Sequence, residues 1–211
     1  MKAYGYKGPT FQCYSGIPEQ YIPEVAVNRP FEEVKSFVFV GTLIKRKYPA
    51  EIIPAVVKAF GTEDFEINYI GKGAEDKAIV ENAGRLGVSD KVHLLGRMSR
   101  DEVVAHLQQS NVFVMNSRSE AFGLVYLEAM AQGCLTIASW KEGFDGIIRD
   151  GENGFLCKAG DVDDLAATIQ RIRTMSPEQR KKISENAVLT ARELTDTKAA
   201  ASYLEELKHI M

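Results

Sequence analysis

The sequence predicts an α/β protein with a parallel, Rossmann-like sheet that carries helices on both faces. Within its 211 residues, short apolar runs alternate in a regular order with amphipathic stretches, which is the pattern of β-α-β units. The apolar runs lack clean polar–apolar alternation, as expected of strands that are covered on both faces. A hydrophobic content of 45% is ordinary for a globular protein with such a core. The predicted strands comprise residues 37–41, 65–71, 92–96, 111–117 and 135–139.

Helices are predicted between these strands from local start and stop signals. The first begins at Pro49, because proline is tolerated in a first helical turn. The second stops near Gly87. Ser99 begins the third, and Glu102 follows three residues later, which is the spacing of a capping box. The fourth predicted helix covers residues 121–132.

The C-terminal part of the chain is predicted to be mainly helical. After a turn with a short strand in residues 151–156, the composition shifts to charged helix formers. The sequence then predicts three helices, at residues 161–174, 177–193 and 196–210. Their expected N-caps are Asp161, Ser176 and Thr195.

Three regions follow from this reading of the chain. Residues 1–30 are rich in Gly, Pro and Tyr, and we expect a linker or first-strand region that leads in from a domain not included here. Residues 31–194 form the predicted Rossmann-like domain. Residues 195–211 form a final helix.

Composition argues against several classes of protein. The chain has 26 Lys and Arg residues against 29 Asp and Glu, so it lacks the basic excess typical of nucleic-acid binding. Its three cysteines, Cys13, Cys134 and Cys157, have neither the spacing of a disulfide framework nor that of a zinc site. The N-terminus does not have the pattern of a secretory signal. We therefore expect a cytoplasmic protein.

The stretch at residues 116–133, NSRSEAFGLVYLEAMAQG, holds the strongest chemical signal. Glu128 is the only charged residue from position 121 to 131, and a carboxylate on a core helix is costly unless something pairs with it. We expect this helix to begin near Phe122 and Gly123. Its free N–H groups and positive dipole end would then face the carboxyl edge of the sheet, where anions bind. Gly123 would let a phosphate approach the backbone closely.

The spacing of the two glutamates suggests how such a ligand would lie. A rise of about 1.5 Å per residue places Glu128 roughly 7 to 8 Å along the helix from Gly123. Glu128 could bind a ribose while the helix N-terminus holds a diphosphate, and Glu120 would then face a sugar. The alternative is that Glu120 only complements the helix dipole and that Glu128 pairs with an arginine or a lysine. The residues alone leave both alternatives open.

A basic loop follows the first predicted strand and lies at the same edge of the sheet. In GTLIKRK, residues 41–47, Arg46 and Lys47 could neutralise a diphosphate leaving group. Basic loop residues are, however, more often simply solvated. The glycines of GKG at residues 71–73 are a weaker signal, because they could form only a tight turn between strand and helix.

The stretch from Val40 to about Leu156 resembles the C-terminal, donor-binding domain of the retaining GT-B glycosyltransferases of the group 1 family. The family signature is a Glu, seven residues and a second Glu, here Glu120 and Glu128 within SEAFGLVYLEAMAQG. Further matches occur in the same order: VGTLIKRK, YIGKGAE, VHLLGRMSRDEV and DGIIRDGENGFL. Five ordered matches over more than a hundred residues are specific, whereas one alone would not be.

The resemblance implies a role for each matching residue. Glu128 would bind the ribose hydroxyls of the nucleotide. Glu120, the implied catalytic residue, would contact the donor sugar near its anomeric centre. Lys47 is the implied phosphate cation, with Arg46 as a second candidate. The other residues of the implied donor site are Gly41, Phe122, Gly123 and Leu124, of which the last three would hold the distal phosphate through their backbone.

Other positions match the family less well. Arg97 and Met98 would flank the nucleotide base. Where the family often has an arginine directly after the first glycine, this chain has Thr42. Where the family has a pair of glycines after a later strand, this chain has Glu142 and Gly143, which puts one contact to the sugar in doubt.

The activity implied is transfer of a sugar from a nucleotide-diphosphate sugar to an acceptor hydroxyl with retention, in polysaccharide, capsule or lipopolysaccharide biosynthesis. We expect a UDP-sugar as donor. We expect no cofactor and no requirement for a metal ion, because Lys47, Arg46 and the helix N-terminus would stabilise the charge that develops on the diphosphate.

The second half of a GT-B enzyme is expected to precede residue 1 as an acceptor-binding domain. The helix at residues 196–210 would pack on it. We therefore expect this chain alone to bind donor weakly without completing transfer. The full-length enzyme could associate peripherally with the inner face of a membrane.

Two alternative functions stay open at this point. One is a related GT-B enzyme, such as a nucleotide-sugar epimerase or a phosphorylase. The other is a catalytically silent module that binds a nucleotide-sugar or a partner chain.

Overall fold

The computed structural model describes residues 10–11, 13–24, 29–61 and 63–210. Within these residues the chain forms a six-stranded sheet in the order β3-β2-β1-β4-β5-β6. All neighbouring strands are parallel, which confirms the predicted Rossmann-like sheet. The strands are β1 (Ser36–Val40), β2 (Glu66–Ile70), β3 (Val92–Gly96), β4 (Val112–Val114), β5 (Leu135–Ser139) and β6 (Phe155–Cys157).

The helices cover both faces of the sheet. They are α1 (Pro49–Phe60), α2 (Asp76–Arg85), α3 (Arg100–Gln109), α4 (Leu124–Ala131), α5 (Val162–Thr174), α6 (Pro177–Glu193) and α7 (Asp196–Ile210). On one face α1 packs against α2 and α5, and on the other α4 packs against α3 and α6. No helix in the described part of the chain is long and apolar enough to span a membrane.

The strand order reverses at the paired strands β1 and β4, and we use the word crevice for the region between the two loops that follow them. The chain builds outward from β1 through β2 to β3, then crosses back to place β4 on the other side of β1. Loops 41–48 and 115–123, which follow β1 and β4, therefore start side by side at the carboxyl edge. In open parallel sheets, ligands bind at this kind of topological switch point.

Four predicted N-caps are confirmed by their hydrogen bonds. Ser99 and Ser176 each form a full capping box, with side chains that accept from the backbone N–H three residues later. The Asp161 carboxylate accepts from the N–H groups of Asp163 and Asp164 at 3.1 and 3.0 Å. The hydroxyl of Thr195 accepts from the N–H of Lys198 at 3.2 Å.

Strand β4 is shorter than predicted, ending at Val114 rather than at residue 117. The carbonyls that follow it bond outside the sheet. The Tyr126 hydroxyl donates to the carbonyl of Met115 at 2.6 Å, and the N–H of Gly160 donates to the carbonyl of Asn116 at 3.2 Å. The chain therefore leaves the sheet early and turns towards the crevice.

The N-terminal segment is joined to the end of the domain. Ile17 is fully buried, its N–H donates to the carbonyl of Leu194 at 3.1 Å, and its carbonyl accepts from the N–H of Asp196 at 3.0 Å. The predicted linker at residues 1–30 lies partly outside the described residues, at 1–9, 12 and 25–28. Its function as a linker stays a prediction.

The final helix, α7, is largely exposed. Tyr203 and Leu204 on this helix are 45% and 58% exposed. The packing of α7 on another domain stays a prediction.

Helix α1 contains an interior proline that its neighbour compensates. Pro54 has no N–H, so it cannot donate to the carbonyl of Ala50 one turn earlier. The side-chain amide of Asn82, on α2, donates to that carbonyl at 2.9 Å instead. Because Ala50 is 5% exposed, this bond satisfies a backbone acceptor that has little contact with water. The bond also fixes α2 against α1.

Replacing Asn82 with alanine should lower the free energy of unfolding by about 1 to 2 kcal/mol, because a buried carbonyl loses its donor. In a Pro54→Ala background the penalty should be smaller, since the substituted residue would supply a backbone N–H of its own. Both values can be measured by urea denaturation. An equal penalty in the two backgrounds would contradict this explanation of the bond.

Candidate functional site

The loops after β1 and β4 meet at the switch point and bring the predicted charged residues together. The Arg46 guanidinium donates to the Glu120 carboxylate at 3.3 Å, and the Lys47 ammonium lies 3.9 Å from the same oxygen. The N–H of Arg118 donates to the carbonyl of Arg46 at 2.7 Å. Two cations therefore share one carboxylate across the crevice.

Lys47 occupies a poorly solvated position in this cluster. Its side chain is 13% exposed, whereas that of Arg46 is 44% exposed. Burial lowers the pKa of Lys47 from its ordinary value of 10.5, the negative charge of Glu120 partly offsets this, and the positive charge of Arg46 lowers it further. A half-buried cation beside a second cation favours the arrival of an anion.

Glycines let the neighbouring loops approach closely enough to form this cluster. Gly41 follows β1 directly, and a Cβ on it would lie 3.0 Å from the Lys47 ammonium. A Cβ on Gly71 would overlap the carbonyl oxygen of Gly41, and one on Gly73 would overlap that of Leu43. The glycines of the GKG motif therefore allow the loops after β1 and β2 to pack closely.

Helix α4 begins at Leu124, later than predicted, and Gly123 is its N-cap in a left-handed conformation with φ of 79°. A Cβ on Gly123 would lie 2.7 Å from the Tyr126 ring and 3.2 Å from Cγ of Glu120, so both space and backbone require glycine. Because the N-cap is a glycine, it offers no side chain that could cap the helix. Its first turn therefore presents backbone N–H groups and a positive dipole end beside Glu120.

The backbone around Glu120 is held by two residues that the sequence left uncertain. The N–H of Glu120 donates to the Glu142 carboxylate at 3.1 Å, and its carbonyl accepts from the N–H of Gly143 at 2.9 Å. A Cβ on Gly143 would overlap the carbonyl of Ala121. These bonds keep residues 120–121 out of the helix, which is why α4 starts late.

An aromatic cluster lies behind this loop. Phe144 is buried and stacks on Tyr126 with ring centroids 4.9 Å apart, and Phe122 packs on Phe144 at 5.3 Å. Burial raises the pKa of Tyr126. Trp140, by contrast, is 47% exposed beyond the end of β5.

Glu128 is paired with a protein side chain in this structure. Arg100, the first residue of α3, donates to Oε1 of Glu128 through Nε at 3.0 Å and through its terminal nitrogen. The Glu128 side chain is 13% exposed and that of Arg100 is 40% exposed. The sequence left two alternatives open for the partner of Glu128, a ligand or a basic side chain. The predicted alternative, pairing with an arginine, describes the unliganded chain.

The remaining predicted residues lie around the same edge. Leu124 is the first residue of α4 and is 36% exposed, and Arg97 is exposed directly after β3. The described residues contain no group of three or more His, Cys, Asp or Glu side chains arranged to hold a metal ion. A groove of about 780 Å³ lies at the other end of α4, beside Gly133, and none of the predicted site residues lines it.

Comparison with known proteins matches residues 23–189 to the model of the family "glycosyl transferases group 1". A similar curated protein is the N-acetyl-alpha-D-glucosaminyl L-malate synthase of Bacillus anthracis, which is 31% identical over 64% of this chain and 35% of its own length. The first curated relatives found are matched over only about a third to two fifths of their lengths.

Solved structures share the fold. The C-terminal domain of the group 1 family protein LpcC from Francisella tularensis superposes with a TM-score of 0.72 and 22% identity, over 84% of this chain and 97% of that domain. The Anabaena protein HepE, solved in complex with UDP and glucose, gives a TM-score of 0.78 with 19% identity, over 93% of this chain and 56% of that one.

The bonds behind the loop give a stability prediction. Tyr126→Phe removes a buried hydroxyl that donates to Met115 and lies 3.1 Å from the Ser117 hydroxyl. The free energy of unfolding should fall by about 1 to 3 kcal/mol, because a buried acceptor loses its donor. Tyr203→Phe, on the exposed face of α7, is the matched control and should change it by less than about 0.5 kcal/mol. Equal effects in denaturant melts would contradict this role of Tyr126.

Proposed function

Because the chain belongs to the group 1 glycosyl transferases, we propose that its carboxyl-edge site binds the nucleotide-diphosphate sugar that serves as glycosyl donor. The observation that carries this proposal is the convergence of Lys47, Arg46 and the uncapped N-terminus of α4 on Glu120. In the complete enzyme, the donor's sugar would pass to an acceptor hydroxyl with retention of configuration.

The diphosphate would take the place next to the two cations. In the unliganded chain the Glu120 carboxylate is their partner. A diphosphate carries more negative charge, so it would compete for Lys47 and Arg46 and would also accept from the N–H groups of Leu124 and its neighbours. As the glycosidic bond breaks, the same groups would stabilise the charge growing on the leaving diphosphate.

Glu120 would then contact the donor sugar, and Glu128 would contact the ribose of the nucleotide. Glu120, released from the cations, would lie at the donor sugar near its anomeric carbon, supported by Glu142 and Gly143. Glu128 lies about 7 to 8 Å along α4 from Gly123, a distance that suits a ribose next to the diphosphate. Arg97, exposed after β3, would flank the base.

The rest of the enzyme is part of the same proposal. The acceptor-binding domain would precede this chain, and the exposed apolar side of α7, with Tyr203 and Leu204, would pack on it. This chain alone would bind donor without transferring the sugar. We propose a UDP-sugar as donor, synthesis of a cell-surface polysaccharide as the process, and the cytoplasmic face of a membrane as the place.

Calorimetry with UDP, GDP and ADP tests the proposal directly. At least one of them should bind, and Glu128→Gln should weaken that binding about 10- to 100-fold, because the ribose hydroxyls would donate to a neutral amide instead of a charged carboxylate. Glu81→Gln is the matched control, since Glu81 lies on the exposed face of α2 in a pair with Lys77. Absence of binding by all three nucleotides would overturn the proposed function.

Lys47 gives a pH prediction. A bound diphosphate should raise the pKa of Lys47, which burial holds below 10.5 in the free chain. Binding should therefore take up protons in the alkaline range, and affinity should fall as pH rises through the lowered pKa. Calorimetry in two buffers of different ionisation enthalpy measures this uptake. Lys47→Met should abolish the uptake and Lys77→Met should keep it, and uptake retained by Lys47→Met would contradict this role of Lys47.

A further inference from the structure

We propose that Arg100 is a positioning residue for ribose recognition, which holds one oxygen of Glu128 so that the other faces the ribose hydroxyls. This inference rests on the proposed function, because it assumes that Glu128 contacts the ribose. Arg100 was not among the residues predicted from the sequence, and it lies 28 positions before Glu128.

The geometry of the pair leaves one carboxylate oxygen open. Both hydrogen bonds from Arg100 end on Oε1 of Glu128. Among the described residues, no donor is within hydrogen-bond distance of Oε2. A fully bidentate pair would use both oxygens and leave neither for a ligand. The observed one-oxygen pair instead fixes the carboxylate and leaves Oε2 able to accept from a hydroxyl.

Arg100 is itself held in place from two sides. Arg100 directly follows the N-cap Ser99, whose capping box with Glu102 fixes the start of α3. Its guanidinium lies over the ring of Tyr21, 4.7 Å from the ring centroid. Such stacking favours a flat cation on an aromatic face and restricts its rotamers. Tyr21, Arg100 and Glu128 therefore form a chain of contacts from the N-terminal segment to α4.

The setting of Glu128 explains why it needs such support. Its side chain is only 13% exposed, and its neighbours on α4, Leu127 and Ala129, are fully buried. A carboxylate in this setting that lost its partner would gain by rotating towards solvent. Arg100 prevents that rotation. A blocking role for Arg100 makes the opposite prediction, since removing a competitor would strengthen nucleotide binding.

The test compares UDP with its dideoxyribose analogue, which lacks both ribose hydroxyls. If calorimetry shows that GDP or ADP binds more tightly than UDP, that nucleotide and its own dideoxyribose analogue are used instead. The wild-type chain should bind UDP at least about 10-fold more tightly than the analogue, because the analogue cannot bond Glu128. Arg100→Ala should weaken UDP binding and reduce the ratio of the affinity for UDP to that for the analogue to below about 3-fold. Arg100→Lys should give an intermediate ratio, and Tyr21→Leu should reduce the ratio in part.

Arg171→Ala is the matched control. Arg171 is 43% exposed, pairs with Asp150 at 2.7 Å and lies over the ring of Phe155, so it makes the same kinds of contact at the start of β6. Arg171→Ala should leave the ratio of the affinity for UDP to that for the analogue unchanged.

The outcomes separate the inference from the proposed function. If the wild-type chain binds none of the three nucleotides, the proposed function fails, and this inference fails with it. If the wild-type chain discriminates but Arg100→Ala weakens both ligands equally, or tightens UDP binding, the inference alone is overturned. Thermal melts of each variant in the absence of nucleotide show whether a loss of binding is caused by unfolding. Arg100→Lys then shows whether the ratio of the two affinities depends on the planar guanidinium group or only on the positive charge.

Discussion

The sharing of one carboxylate by two cations is the interaction on which the site depends. Glu120 faces both Arg46 and Lys47 across the crevice between β1 and β4, and Lys47 is poorly solvated there. Burial of a lysine charge is unfavourable by itself, and the negative charge of Glu120 partly offsets that cost for Lys47. These contacts are the basis of our proposal that an anionic ligand binds at the switch point of the sheet.

The fold imposes this charge through backbone contacts rather than through side-chain packing alone. Gly71 and Gly73 allow the loops after β1 and β2 to touch, and Gly143 allows residues 141–143 to lie against residues 120–121. Gly123 then turns the chain into α4. Each of these places has no room for a side chain. The loop backbones at the carboxyl edge are consequently packed closely against one another, and this packing places Glu120 and Lys47 side by side.

Much of the fold and part of the site could be predicted from the sequence, because those features are local. The caps at Ser99 and Asp161 depend on residues within one turn, so their spacing shows them directly. The pairing of Arg100 with Glu128 and the support of Glu120 by Glu142 join distant parts of the chain. Composition and periodicity do not show which distant residues come into contact. The sequence therefore shows that Glu128 is the only charged residue on its stretch of helix, but it does not identify the residue that pairs with it.

The most direct measurement is a crystal structure of this chain with UDP, or with GDP or ADP if that nucleotide binds more tightly. The proposed arrangement predicts the diphosphate between the Lys47 ammonium and the first turn of α4, with the Glu120 carboxylate separated from Arg46. It also predicts the ribose at Oε2 of Glu128. A nucleotide found elsewhere, for example in the groove beside Gly133, with the pairs of Glu120 unchanged, would contradict it.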